Sequence, residues 1–289
     1  MFPTFFIVGT PKAGTTSLYY YLDEHPEIFM SPIKEPNFFS HIEIIGQNLY
    51  YKEKSIGDRE RYENLFEAVT TEKVIGEASV SYLFYKKTPE RIKEEVPEAR
   101  IIVILRNPID RGFSHFLMDQ RLGLVNFSFE DIVFKRIHHP MIDLYYQQFI
   151  EIGFYHDQVK RYFDVFGKEQ VRVFLTEDLK NNLERVVLDV YDFLNIEDKR
   201  LPNLDRKHNV YRTPRNKIVK NLYSSKKIRA IAKTVIPDCF ASAVKDYALI
   251  QDKKPELSEN IKIYLNDLFH KDILLTSELI KRDLTYWFL

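Results

Sequence analysis

"FFIVGTPKAGTTSLYYYL", residues 5–22, decides the fold. An apolar run of strand length, residues 5–9, enters a short loop between Gly9 and Gly14, and a helical pattern starts at Thr15. Strand, glycine loop and helix in that order aim backbone N–H groups at one spot, and the helix dipole adds partial positive charge there. The residues that would hold an anion are Lys12, Ala13, Gly14, Thr15, Thr16 and Ser17, the last three with hydroxyls at the helix start. Two glycines separated by four residues frame a Walker A loop, in which the next residue is a lysine that reaches the terminal phosphates of a triphosphate. Here Thr15 stands in that place and the lysine is Lys12, three residues earlier. A lysine on the outer arc meets the group beyond the first phosphate. A magnesium-triphosphate site also wants an apolar strand ending in Asp, whereas "RIIVILR" (100–106) ends in Arg106. Two readings stay open on the loop alone: an anion cradle of unusual charge placement, or a turn with a solvated lysine.

Outward from the loop, further apolar runs look like buried parallel strands: 73–77, 100–106 and 171–175. Helical patterns lie between and after them, over 15–24, 88–95, 108–122, 141–164 and 182–194. Strand and helix in alternation predict an α/β fold, a single domain over 1–289 with a central parallel sheet flanked by helices and the ligand at strand C-terminal ends. Residues 41–70 read as an excursion over the sheet edge, and 219–289 as a helical C-terminal part.

The 289 residues carry 42 basic and 42 acidic side chains, a formal net charge of zero. No global field draws in nucleic acid, an anionic membrane or a polyanionic glycan. Cys239 is the one cysteine, so no internal disulfide forms. The opening residues lack the basic region of a signal peptide, and no apolar stretch reaches the ~18 residues of a membrane span. The expectation is a cytoplasmic protein without nucleic-acid or membrane partners; the sequence says nothing of oligomeric state. The eight His and one Cys show no zinc-type spacing, so no metal is expected.

"GTPKAGTTSL" resembles the 5′-phosphosulfate loop of the sulfotransferases that use 3′-phosphoadenosine 5′-phosphosulfate (PAPS), which share a P-loop NTPase-like fold. Lys12 takes the position of the family lysine that meets the bridging oxygen and the sulfonate. "LRNPIDRGFSHF" (105–116) resembles the family's second signature. Arg106 and Ser114 match the pair that holds the donor's 3′-phosphate, a compact dianion suited to a guanidinium fork. The bland alternative for Arg106 is an ion pair with Asp110. "RKHNVYRTPRNK" (206–217) resembles the basic loop over the adenine and 3′-phosphate, which adds Arg212 and Arg215 as donor-binding candidates. "GEASVSYLF" (76–84) and "FGKEQVRVFLTEDL" (166–179) continue the likeness, which covers roughly residues 5–220 and is nearest to the bacterial and heparan sulfate branch.

"KEPNFF" places Glu35 where the heparan sulfate 3-O-sulfotransferases carry a catalytic glutamate in "KEPHFF". The resemblance therefore implies Glu35 as base and Lys12 as its catalytic partner. A surface pair of Glu35 with Lys34 is the alternative. His138 and His139 are further acceptor-side candidates, since the cytosolic branch uses a histidine base. Phe39, Tyr82 and Tyr145 are candidate acceptor-lining residues, although core packing is the more ordinary use for any single one. The family's "GEKTPSYF" lysine is replaced by Ala78. With zero net charge, that loss favours a small natural product over a sulfated polysaccharide. The implied function is sulfonate transfer from PAPS to a hydroxyl or amine of a small-molecule acceptor, releasing adenosine 3′,5′-bisphosphate. A P-loop phosphotransferase is the alternative.

Overall fold

Phe5–Gly9 forms strand β1, and every one of its residues is buried. A computed structural model describes residues 1–51, 55–204, 212–215, 219, 225 and 249–288. β1 lies at the middle of a five-stranded sheet with β2 (Ile28–Met30), β3 (Val74–Ala78), β4 (Arg100–Leu105) and β5 (Val171–Leu175), in the order β2-β3-β1-β4-β5. All four pairings are parallel. Alternate side chains of a strand face opposite sides of a sheet, and here both sides are covered. Phe6, Val8, Ile101 and Val103 belong to one core cluster, and Phe5, Ile7, Ile102 and Ile104 to another. That is why the central strands read as unbroken apolar runs. The fold is the single α/β domain expected from the sequence.

Helix α1 (Thr15–Asp23) follows β1, and α2 (His41–Gly46) and α3 (Arg59–Glu63) lie in the excursion between β2 and β3. Next come α4 (Thr88–Glu95), α5 (Pro108–Arg121), α6 (Phe129–Val133), α7 (Ile142–Phe149), α8 (His156–Phe166), α9 (Thr176–Asn181) and α10 (Leu183–Phe193). After β1 the chain turns toward β3 and β2; after β4 it turns toward β5. The strand order thus reverses between β1 and β4, and open α/β sheets place ligands at such a point. Lys12 follows β1 and Arg106 follows β4, so both emerge at that crevice.

The continuous helix expected over 141–164 is corrected to two. The chain breaks at a 3-10 turn, Glu151–Gly153, where a Cβ on Gly153 would stand 2.9 Å from Phe269 and 3.0 Å from Pro108. The break is stabilised from far along the chain: Asp272 accepts from the amides of Tyr155 (2.7 Å) and His156 (3.2 Å), capping α8. Of the C-terminal part read as helical over 219–289, residues 220–224 and 226–248 lie outside the described residues. β6 (Arg212–Pro214) pairs antiparallel with β7 (Leu249–Gln251), and the described helix is α11 (Glu259–Ile280). Among the described residues, no helix is long and apolar enough to cross a membrane.

Candidate active site

The glycine loop is built to present its amides. Gly14 caps α1 with φ 107°, a left-handed conformation, and a Cβ there would stand 3.0 Å from Leu179. Lys12 is also left-handed, at φ 70°. Thr176 Oγ1 donates to the carbonyls of Ala13 (2.8 Å) and Leu105 (3.1 Å), tying the loop to β4. No side chain caps α1 and no acidic residue stands in its first turn. Its leading N–H groups are therefore available to an anion, which the dipole favours.

Arg106 joins the two candidate anion sites. Its Nη1 donates to the Lys12 carbonyl at 2.9 Å, while the Tyr155 hydroxyl holds its own carbonyl at 2.7 Å. The pair with Asp110 also exists, at a loose 3.6 Å, with Asp110 well exposed. Nε of Arg106 is buried with no hydrogen-bond partner among the described residues. A buried donor left unpaired costs about 1–3 kcal/mol, which an anion here would offset. Ser114, half-buried, lies on α5, one turn after Asp110.

Lys12 Nζ lies 3.5 Å from Met118 Sδ on α5. Burial, then the Arg121 guanidinium, brings its ammonium down to about 8; Arg106 adds to this, and Asp119 and Glu35 pull the other way. Lys12, Glu35, Arg106, Asp119 and Arg121 thus share one electrostatic neighbourhood. Glu35 sits on the loop after β2, its Oε1 3.1 Å from Lys34 Nζ. The loop is anchored by Asn37, which donates from Nδ2 to the Glu35 carbonyl at 2.9 Å and accepts from Ser81 Oγ at 2.6 Å.

Three aromatic candidates are packed into the core. Phe39 and Tyr82 are 3% and 0% exposed, and Tyr145 is 6% exposed. The Tyr82 hydroxyl accepts from the Phe39 amide at 3.2 Å, and the Tyr145 hydroxyl donates to the Leu124 carbonyl at 3.0 Å. All three rings belong to one hydrophobic core cluster with Phe6 and Val8 of β1. His139 accepts from the Met141 amide at 3.1 Å and stacks on Tyr145 at 5.9 Å, while His138 is exposed. Arg215 is exposed, and the Arg212 side chain lies outside the described residues. Among the described residues, no group of three or more His, Cys, Asp or Glu is placed to hold a metal ion.

Residues 2–277 match the family described as the sulfotransferase domain. The chain belongs to the sulfotransferase family. It is 32% identical to a sulfotransferase from Alicyclobacillus acidocaldarius, with 99% of each chain covered and a TM-score of 0.73. The sulfotransferase domain of the curacin biosynthetic pathway, 14% identical at a TM-score of 0.51, shares the fold. Among curated proteins, the mouse bifunctional heparan sulfate N-deacetylase/N-sulfotransferase 4 is 26% identical over 200 residues, and mouse carbohydrate sulfotransferase 15 is 27% identical over 248. Each match covers 67% of this chain but only 22% and 44% of those longer proteins. Use of PAPS is typical of the family, and the phosphotransferase alternative finds no support.

This sulfotransferase places residues around Lys12 and Arg106 that sequence reasoning missed. Met118 and Arg121 follow Ser114 at four and seven residues, one stripe of α5, so helical spacing from the serine was their signal. Lys254 had no signal, because it meets α5 only in the folded chain, more than a hundred residues from Asp110. Its Nζ lies 3.7 Å from Asp110 Oδ1 and 5.2 Å from the Phe113 ring centroid. Asp110 therefore gathers Arg106 and Lys254 beside Ser114.

The lowered value of Lys12 fixes a pH dependence. Lys12 is protonated below about 8 and neutral above it in the free protein. Only the ammonium attracts the donor, so kcat/KM for the donor is expected to fall as pH rises through about 8. Bound phosphates favour the ammonium, so the corresponding limb of kcat belongs at higher pH. Rate profiles from pH 6 to about 10 check this; a limb in kcat/KM that persists in Lys12→Ala would belong to another group.

Proposed function

We propose that this chain transfers a sulfonate from PAPS to a hydroxyl or amine of a small-molecule acceptor and releases adenosine 3′,5′-bisphosphate. The observation that carries the proposal is the reach of Arg106 from β4 to the Lys12 carbonyl, with Nε buried and unpaired. One guanidinium then serves a phosphate beside Ser114 while it braces the loop for the other end of the donor. The donor supplies an activated sulfonate on its 5′-phosphate. The loop amides, Thr15, Thr16 and Ser17 hold that phosphate. Arg106 and Ser114, with Lys254 nearby, hold the 3′-phosphate, and Arg212 and Arg215 complete the cover.

Glu35 takes the proton from the acceptor as the acceptor's lone pair forms the new bond to sulfur. Lys12 faces the negative charge that grows on the leaving oxygen, the task for which a fixed cation is most effective. Zero net charge and Ala78, buried in the place of a family lysine, favour an uncharged acceptor such as a small natural product over a sulfated glycan.

Titration with adenosine 3′,5′-bisphosphate and with adenosine 5′-phosphosulfate tests the donor assignment. The wild type is expected to bind the bisphosphate more tightly. Arg106→Ala is expected to weaken the bisphosphate roughly 10- to 150-fold, from ~1.5–3 kcal/mol for a hydrogen bond to a charged group. Equal wild-type binding of both nucleotides would remove the 3′-phosphate from this site.

A further inference from the structure

Glu77, at the end of β3, is 0% exposed, and no Lys or Arg pairs with it among the described residues. Its oxygens are taken up by hydroxyls. Oε1 accepts from Ser79 Oγ at 2.5 Å, and Oε2 from Tyr62 at 2.6 Å and Tyr82 at 3.1 Å. Two of these hydroxyls continue outward. Ser79 Oγ accepts from the Asn37 amide at 3.0 Å, and the Tyr82 oxygen from the Phe39 amide at 3.2 Å. Those amides belong to the loop that carries Glu35, whose carbonyl Asn37 holds at 2.9 Å.

We propose that Glu77 is a positioning residue: through Ser79 and Tyr82 it orients the loop of the catalytic base. The proposal rests on the reading of Glu35 as base. A hydroxyl has one proton. When Ser79 and Tyr82 give theirs to the carboxylate, their oxygens are left facing the loop as acceptors. Only an acceptor-only group at position 77 turns every hydroxyl the same way. A glutamine would bring two N–H donors to three hydroxyls, so at least one link must reverse. An unpaired buried carboxylate is expensive to keep, and an apolar residue would fill the same space more cheaply; positioning the loop accounts for its presence.

The charge of Glu77 and the order of the loop are linked. Burial lifts its carboxyl to about 7, against the three hydroxyls, and the negative charge of Glu35 adds to the lift. The other titratable neighbours are Tyr62 from α3, Tyr82 from the segment after β3, and Tyr162 from α8. As pH falls through about 7, Glu77 takes a proton, one acceptor becomes a donor, and the hydroxyl that faces it must turn, which disturbs the loop when that hydroxyl is Ser79 or Tyr82.

Amide hydrogen exchange and kinetics on wild type, Glu77→Gln, Ser79→Ala and Tyr82→Phe test this. In the wild type, protection at Asn37 and Phe39 is expected to drop as pH falls through about 7. In Glu77→Gln it is expected to be low and flat with pH. Turnover should fall about 10- to 100-fold, the scale of a small misplacement of a reacting group, with adenosine 3′,5′-bisphosphate affinity within about two-fold. Ser79→Ala should expose the Asn37 amide alone and Tyr82→Phe the Phe39 amide alone, so the test stands if Glu77→Gln does not fold. Wild-type protection and turnover in Glu77→Gln, or unchanged amides in both single-link variants, would overturn the proposal. A loosened loop in Glu77→Gln beside normal turnover in Glu35→Gln would remove the base assignment and leave the anchoring in place.

Discussion

Lys12→Ala is expected to lower kcat ~10²–10³-fold, the scale of losing one preorganised transition-state donor, while affinity for adenosine 3′,5′-bisphosphate changes only a few-fold. The asymmetry follows from what else holds the loop. Gly14 and the uncapped start of α1 contribute amides whether or not the lysine is present. Thr176 and Arg106 fix the loop through the carbonyls of Ala13 and Lys12, which the substitution keeps. The left-handed backbone at position 12 is no harder for alanine than for lysine. What disappears is a cation that matters most when the sulfur–oxygen bond breaks, and interactions realised only there appear in kcat. Steady-state kinetics with calorimetric titration of the bisphosphate separate the two effects. Unchanged kcat with a raised KM would mean that the lysine acts only in binding.

Glu35→Gln is expected to cut turnover ~10²–10⁴-fold, the usual contribution of a positioned base. The change is nearly isosteric. It weakens the contact with Lys34 without removing it, since the amide oxygen still accepts, and it leaves the anchors on Asn37 and Phe39 untouched. Donor affinity should therefore stay near wild type. An alcohol acceptor should suffer most, because its proton leaves with difficulty near neutral pH. An amine that is already neutral should lose less. If Glu35→Gln stays within a few-fold of wild type and His139→Ala or His138→Ala is inactive, the base is a histidine; His139 already sits on Tyr145, whose ring faces Tyr50 at 5.6 Å.

The sheet was legible because buried parallel strands advertise themselves as apolar runs, and both candidate anion sites stood out because each begins where such a run stops, at Gly9 and at Arg106. β2 was not, since three residues carry no period. The split between α7 and α8 was not, because the decisive cap is Asp272, more than a hundred residues away. Phe39 and Tyr82 were read as pocket lining from their place in the motifs; burial of a ring depends on neighbours that a motif does not specify. Glu77 looked like any strand-end glutamate. Its meaning lies in three hydroxyls drawn from Tyr62, Ser79 and Tyr82, and only the folded chain brings Tyr62 among them.

Asn107 caps α5 by accepting from the amides of Ile109 and Asp110, and its Nδ2 donates to the Trp287 carbonyl at 2.8 Å across 180 residues of sequence. On a ribosome adding about 5–20 residues per second, roughly 10–35 s separate the synthesis of those two partners. For that interval the strand-to-helix corner beside Arg106 exists without its clasp. β1, β3 and β4 can pair early, while the corner proposed to read the nucleotide waits for the far end of the chain. Contacts of such long range are the slow ones in folding. A nascent or interrupted chain can therefore possess the sheet and the glycine loop well before it possesses a finished nucleotide corner.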